Sequence, residues 1–308
     1  MNKKIPKKNH HYRFDPFKEP VERAKLGDWV VFETLDCFSD GLQKEEDFFT
    51  DLDMTHINPC TGPLFIENTR PGDVVALKVQ DIRLRDWGVL TLIPREGVMQ
   101  RLVQSPKTKI VKIFQDKNYI EFAKNIRLDL RPHVGTIGSC PNLPFPTGQT
   151  GIHGGNMDIP ELRVGTTIYF PVFMNGTMVS LGDVHANMGN GEICIGVETG
   201  AEVTLSIEKV FPSVYLRAPM LETPTHWIAY SEASNGSVGL FDLSVRMAEF
   251  LCSRTGISLE EANLLISACG DVHFGQWAES DQNYTFYMKF PKHVFTDGSL
   301  NSFLPNQS

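Results

Sequence analysis

One phrase recurs along the first two thirds of the chain: a glycine-bearing turn, then a short run rich in β-branched and aromatic residues. Gly27-Asp28 opens the run 29–34, Pro71-Gly72-Asp73 opens 74–79, and Val164-Gly165-Thr166 opens 168–173. Such short runs, bounded by turn residues, read as strands rather than helices. The repetition fits a weak internal duplication, and it fits equally well the plain aptitude of Gly-Asp for turns. Two hairpins are expected. Asn175-Gly176, a favoured type I′ pair, lies between 168–173 and 178–181, and Asp86-Trp87-Gly88 separates 79–84 from 89–93. The run 197–211 continues the β pattern, with a break at Thr199-Gly200.

Helical periodicity arrives late. Leu243, Met247, Phe250 and Leu251 share a helical face, and Gly256 ends that run. Ser258 with Glu261 forms a capping box that opens a second helix through Leu259, Ala262, Leu265 and Ile266, stopped by Gly270. A last strand is expected at 284–290. The fold class is therefore mainly β with a few helices (α+β). One β-rich domain is expected over 16–292, after a basic N-terminal arm over 1–15 and before a loose tail over 293–308.

Composition narrows the function. The 308 residues carry 29 Lys and Arg against 37 Asp and Glu, a formal charge of −8. That balance argues against a nucleic-acid partner, whose phosphates need neutralising. No apolar run approaches the roughly 20 residues that span a bilayer, so no membrane partner is expected. The lysines Lys3, Lys4, Lys7 and Lys8 are followed by Asn9, His10 and His11 rather than by the apolar core of a signal peptide. A cytoplasmic protein is expected, with its six cysteines as free thiols, no two of them forming a C-x-x-C pair.

Residues able to do chemistry crowd between His133 and Glu192. Asp183 and His185 stand two apart at a strand end, so both side chains leave one face. A carboxylate beside an imidazole is half of a divalent-metal site, zinc especially, or else a hydrogen-bonded pair closing the strand. Glu192 follows a Gly-x-Gly turn able to fold it back on that pair. Upstream, Gly154 and Gly155 permit close backbone approach, while His153, Asn156 and Asp158 offer a base, an amide and a carboxylate. These residues suit either an oxyanion hole beside a general base or a tight polar turn. Glu33 with Asp36, Asp53 with His56, and His273 are weaker candidates. G-x-S-x-G, H-E-x-x-H, Walker and Rossmann glycine motifs are absent.

Taken together, His153-Gly154-Gly155-Asn156-Met157-Asp158 and Gly182-Asp183-x-His185-Ala186-x-x-Gly189-x-Gly191-Glu192 resemble the acetamidase/formamidase family. Phe32-Glu33-Thr34-x-Asp36, Asn58-Pro59-Cys60-Thr61-Gly62-Pro63 and Gly135-Thr136-Ile137-Gly138 support the resemblance, in the family's order. It implies a β-rich fold, hydrolysis of a short carboxamide to carboxylate and ammonia, and a divalent metal, zinc favoured and calcium allowed, without an organic cofactor. On that reading Asp183 and His185 hold the metal, and Glu192 or Asp158 shuttles protons. Gly154, Gly155 and Asn156 stabilise the oxyanion, with His153 beside them, and Glu33, Asp36, Asn190 and Cys140 surround the pocket. Asn190 stands where the family usually has an acid, and Ser139-Cys140 replaces smaller apolar residues. Some relatives take cyclic amides, so a lactamase or esterase on the same site is an alternative, as is a β-rich binding protein that has lost turnover. A homo-oligomer, most simply a dimer, is expected.

Overall fold

In the strand Val74–Leu84, Val75, Leu77 and Val79 face one side while Val74 and Ala76 face the other, as the two-residue period of a strand requires. Both faces are apolar, so the strand has to be covered twice. The computed structural model, which describes residues 3–94, 97–99, 101–277 and 284–304, shows how. On one side Val75, Leu77 and Val79 join Phe32 and Val203 of their own nine-stranded sheet. Against them lie Leu64, Val134, Ile137, Val179 and Leu181 of a twelve-stranded sheet. On the other side Val74, Ala76, Tyr169 and Trp227 meet Leu243, Met247, Phe250 and Leu251 of a helix. The described residues thus form three layers: helices, sheet and sheet.

The two helices are α1 (Gly236–Thr255) and α2 (Leu259–Cys269). Asn235 caps α1 by accepting from the backbone N–H of Ser237 and Val238, and Gly256 ends it in the left-handed region at φ 74°. The capping box of α2 is present in full. Ser258 Oγ accepts from Glu261 N at 3.2 Å, and Glu261 Oε2 accepts from Ser258 N at 2.9 Å.

The three glycine-turn phrases have one structural meaning. Each opens a strand of the nine-stranded sheet with the same pair of hydrogen bonds: Gly27 N to Ile207 O with Ile207 N to Asp28 O, Gly72 N to Val172 O with Val172 N to Asp73 O, and Gly165 N to Val79 O with Val79 N to Thr166 O. Each glycine has φ near +90°, which a side chain would strain.

Neither expected hairpin exists. Thr167–Pro171 lies in the nine-stranded sheet and Met178–Asn187 in the twelve-stranded one, and Val74–Leu84 and Trp87–Leu92 are divided in the same way. Asn175-Gly176 and Asp86-Trp87-Gly88 are corners that carry the chain from sheet to sheet. The Thr199-Gly200 break is a third such corner, between Val197–Thr199 and Ala201–Phe211. Turn residues set the reversal, but hydrogen bonds decide the partner. Gly176 N donates to Thr69 O and Thr177 N to Thr69 Oγ1, which ties that corner to another loop.

The N-terminal arm is no loose appendage. Lys3–Ile5 pairs in parallel with Trp29–Glu33, His10–His11 pairs with Cys60–Ile66, and Arg13–Phe14 pairs with Phe145–Pro146. Ile5, His11 and Phe14 are buried, while Lys3, Lys4 and Lys7 find Asp28, Glu33 and Asp40. Nor is the tail loose up to its last described residue. Trp227 Nε1 donates to Leu300 O at 2.7 Å, and Phe303 stacks on Tyr169. Met1, Asn2 and residues 305–308 lie outside the described residues. Cys37, Cys60, Cys140, Cys252 and Cys269 are free, the first three of them buried. Among the described residues no helix is long and apolar enough to cross a membrane.

Candidate active site

Met178–Asn187 is the strand on which the site is built. It pairs with His133–Ser139 on one side and Val197–Thr199 on the other. That register sets His133 and Glu198 opposite His185. The rings of His133 and His185 stack at 4.8 Å and 17°, and Glu198 Oε1 lies 2.7 Å from His185 Nε2. Asp183 departs from regular extension at φ 54°, a conformation Asp tolerates better than most residues. Its Oδ1 is 4.0 Å from His185 Nε2.

Two loops complete the cluster. After Gly189 and Gly191 the chain turns back, so that Glu192 Oε1 stands 3.4 Å from His185 Nε2 and accepts from Gly196 N at 3.1 Å. Asp158 follows the strand Gly154–Asn156, and its Oδ1 is 4.0 Å from His185 Nδ1. Gly135 makes room for this gathering. A β-carbon there would lie 2.7 Å from Asp183 Oδ2 and would collide with Asp158 Oδ1.

Asp158, Asp183, Glu192, Glu198 and His185 are all buried, and such a concentration of carboxylates is costly unless positive charge balances it. Burial raises the pKa of Asp158 well above the carboxylate range, with Glu192 and Asp183 adding to it. Burial also raises that of Glu192, and pushes Glu198 up to about 8. For His185 burial works the other way, but Glu198, Asp183 and Glu192 outweigh it and hold the ring's pKa well above its usual value. All four shifts have one sense: the cluster takes up positive charge. Some of its donors are also uncommitted. Both oxygens of Asp158 and His185 Nδ1 have no hydrogen-bond partner among the described residues, whereas His185 Nε2 faces Glu198 Oε1 at 2.7 Å. Ligand atoms of Asp158, His185 and Glu192 lie within 4.8 Å of one another, as do those of Cys37, Asp183 and Glu198. Carboxylates with an imidazole are a donor set for a divalent cation, and the residues present fit one. The first triplet suits it better. Burial, with Glu198 and Asp183 nearby, keeps the Cys37 thiol protonated and its pKa well above the usual value.

The cluster forms the polar end of a cavity of about 700 Å³, lined there by Asn156, Asp158, Asp183, Glu192 and Gln276. Thr136, from the neighbouring strand, orders this end. Its Oγ1 lies 2.6 Å from Asn156 Oδ1, 3.2 Å from Asp183 Oδ2 and 3.3 Å from Asn58 Oδ1. One hydroxyl proton serves three acceptors, and the shortest contact commits the Asn156 oxygen.

Of the residues singled out in the sequence, Asp183, His185, Glu192, Asp158 and Asn156 come together, and the others do not. Gly154 and Gly155 have φ 98° and 92° and sit in a strand with paired neighbours on both sides. Their backbone is engaged in the sheet, and they do not line the cavity. His153 is wedged edge-on between Phe14 and Phe145, where burial lowers its pKa to about 4. Cys140 belongs to an apolar cluster with Phe14, Cys60 and Met178. Asp36 pairs with Arg85 at 2.8 Å, and Glu33 with Lys4 at 2.7 Å. Asn190 is exposed, its Nδ2 3.2 Å from His273 Nδ1, so replacing an acid there leaves the cluster intact. Asp53 and His56 pair with each other at 3.0 Å.

The sequence does not single out Glu198 or Cys37, and it gives no role to Asn58, His133 or Thr136 within the segments marked above. A charged Glu198 between Val197 and Thr199, just before the Thr199-Gly200 corner, was the available signal. An acid inside an apolar strand needs a buried partner.

The chain is similar to known proteins over most of its length. The model of the Acetamidase/Formamidase family matches residues 1–150 and 146–234. The chain is similar to the crystal structure of an acetamidase from Bacillus halodurans, with 35% identity and a TM-score of 0.91 over 96% of this chain and 99% of that one. It is similar also to a predicted acetamidase/formamidase from Thermoanaerobacter tengcongensis, with 30% identity and a TM-score of 0.92 over 97% and 99%. A formamidase from Methylophilus methylotrophus is 22% identical over 259 residues, 64% of this chain, which spans 63% of that protein's length.

Proposed function

The chain belongs to the acetamidase/formamidase family, and from that premise we propose that it hydrolyses a primary carboxamide to carboxylate and ammonia. The observation that carries the reading is the convergence of Asp158, Asp183, Glu192 and Glu198 on His185 at the polar end of a cavity. The relatives' names support the reaction class.

An amide carbonyl is a poor electrophile, and its nitrogen leaves only when protonated. His185, Asp158 and Glu192 would hold a divalent cation, with zinc favoured by the imidazole. Such an ion supplies polarisation of the carbonyl and a more acidic water. The chain's own groups manage the rest. Glu198, 2.7 Å from His185 Nε2, and the stacked His133 fix the His185 ring. With its oxygen committed to Thr136, Asn156 keeps Nδ2 as a donor to the substrate oxygen as charge builds there. This side-chain amide takes the place expected for the Gly154 and Gly155 N–H groups. Asp183 faces the cavity with Oδ2 near Thr136, and its Oδ1 accepts the proton of the attacking water and delivers it to the leaving nitrogen. The C–O bond forms, the C–N bond breaks, one of the water's protons leaves with the nitrogen as ammonia, and the other is lost from the carboxylic acid to solvent as carboxylate forms.

Ammonia release from carboxamides tests the reading. Wild-type protein should release it, and Asp183→Asn, still folded, should lose about 10²–10⁴-fold in kcat. Absence of ammonia from every carboxamide tried contradicts the reading, and a fully active Asp183→Asn removes Asp183 from it.

A further inference from the structure

The cavity is much larger than a one- or two-carbon amide requires. Acetamide has four heavy atoms, and at the ~30 Å³ that a water occupies in the liquid it fills about 120 Å³. The cavity offers about 700 Å³, so most of it is left for something else.

Its lining is divided by chemistry. The acidic groups gather with Asn156 where Asp158, Asp183 and Glu192 meet, and Tyr12, Arg13, Thr55, Thr147 and Gln149 add further polar groups to the lining. Phe38, Phe49, Ile57, Ile93 and Ile195 supply the apolar part. These five belong to a separate apolar cluster outside the main core. Phe38 and Phe49 are buried and set edge to face at 5.8 Å and 79°, a firm backing. Ile57, Ile93 and Ile195 are only partly buried against that backing, and all three line the cavity. A polar substituent laid on this wall would lose its water without gaining a partner. An apolar one gains about fourfold in affinity for each methylene it buries.

We propose that the substrate of this chain is a primary amide bearing an apolar substituent of roughly four to eight carbons, alkyl or arylalkyl, which at ~30 Å³ per heavy atom takes about 120–240 Å³ and fits within the volume that acetamide leaves. The amide lies among Asn156, Asp158 and Asp183, and the substituent lies against Phe38, Phe49, Ile57, Ile93 and Ile195. This inference rests on the amide-hydrolysis reading and names the substrate class for the same site. The reaction is unchanged: water's oxygen replaces nitrogen on the carbonyl carbon, and the nitrogen leaves as ammonia.

Ammonia release from acetamide, butanamide, hexanamide and 3-phenylpropanamide, measured as kcat/KM on the metal-replete protein, tests it. From acetamide to hexanamide, four methylenes on, kcat/KM should rise on the order of 10²-fold. Ile57→Asn and Ile195→Asn should each shrink the hexanamide-to-acetamide ratio by about tenfold, and the wild-type series decides should neither variant fold. A kcat/KM that is flat or falls with chain length, while ammonia is released, overturns the apolar substrate and leaves amide hydrolysis standing. A folded variant with the wild-type ratio overturns the placement of the substituent. No ammonia from any of the four amides overturns the hydrolysis reading and this inference together.

Discussion

Thr136→Val replaces a buried hydroxyl with a methyl of similar size in a strand that favours β-branched residues. Packing is kept, and what disappears is the donor that reaches Asn156 Oδ1 at 2.6 Å, with Asp183 Oδ2 at 3.2 Å and Asn58 Oδ1 at 3.3 Å. A buried acceptor left without a donor costs roughly 1–3 kcal/mol. Asn156, Asp183 and Asn58 line the cavity, where solvent reaches them, so the lower half of that range, about 1–2 kcal/mol, is expected. Catalysis should suffer more than stability. Once the Asn156 oxygen is released, its amide no longer holds Nδ2 toward the substrate oxygen, and loss of one such donor costs about 10²–10³-fold in kcat. Urea midpoints and kcat on one carboxamide measure both quantities. Thr136→Ser, which keeps the hydroxyl, should retain most of the activity. A valine variant with wild-type kcat and a loss of 1–2 kcal/mol would refute the positioning argument, because the hydroxyl would then serve the fold alone.

Two buried histidines should make the protein acid-sensitive. Burial lowers the pKa of both His11 and His153 to about 4, against about 6.5 in an unfolded chain. As pH falls the unfolded state therefore binds protons first. The stability from these residues is complete above pH 6.5, is lost toward pH 4, and is down by roughly 2 kcal/mol each at pH 5. Denaturant unfolding at pH 8 and pH 5 should show the drop, and His153→Gln should reduce it by about 2 kcal/mol; the same drop in that variant contradicts the assignment.

What could be read from the sequence was local. Asp183 and His185 come together within one strand although Asp183 leaves regular extension at φ 54°, and Ser258 with Glu261 works because a capping box lies within one turn. Glu198 was not legible in the same way. It matters only because Val197–Thr199 lies beside Met178–Asn187 in a register that sets it opposite His185, and pairing between strands is not written in either one alone. The two false hairpins have the same origin, since Asn175-Gly176 and Asp86-Trp87-Gly88 specify a reversal of the chain without naming the sheet that receives it. Gly154 and Gly155 did announce a close backbone approach. A β-carbon on either would collide with Ile137 O or Gln149 O, so what approaches is neighbouring protein backbone rather than a ligand. In the N-terminal arm, four lysines masked the inward-facing Ile5, His11 and Phe14.

On the function proposed above, the carboxylates around His185 gather positive charge as a bound divalent cation and use it for amide hydrolysis. Metal content per chain, measured by elemental analysis on the wild type and on His185→Ala alongside ammonia release, tests it most directly. Close to one divalent ion per wild-type chain is expected, and a folded variant that loses metal and turnover together. A wild-type protein that releases ammonia with no bound metal, unaffected by chelator, would contradict it.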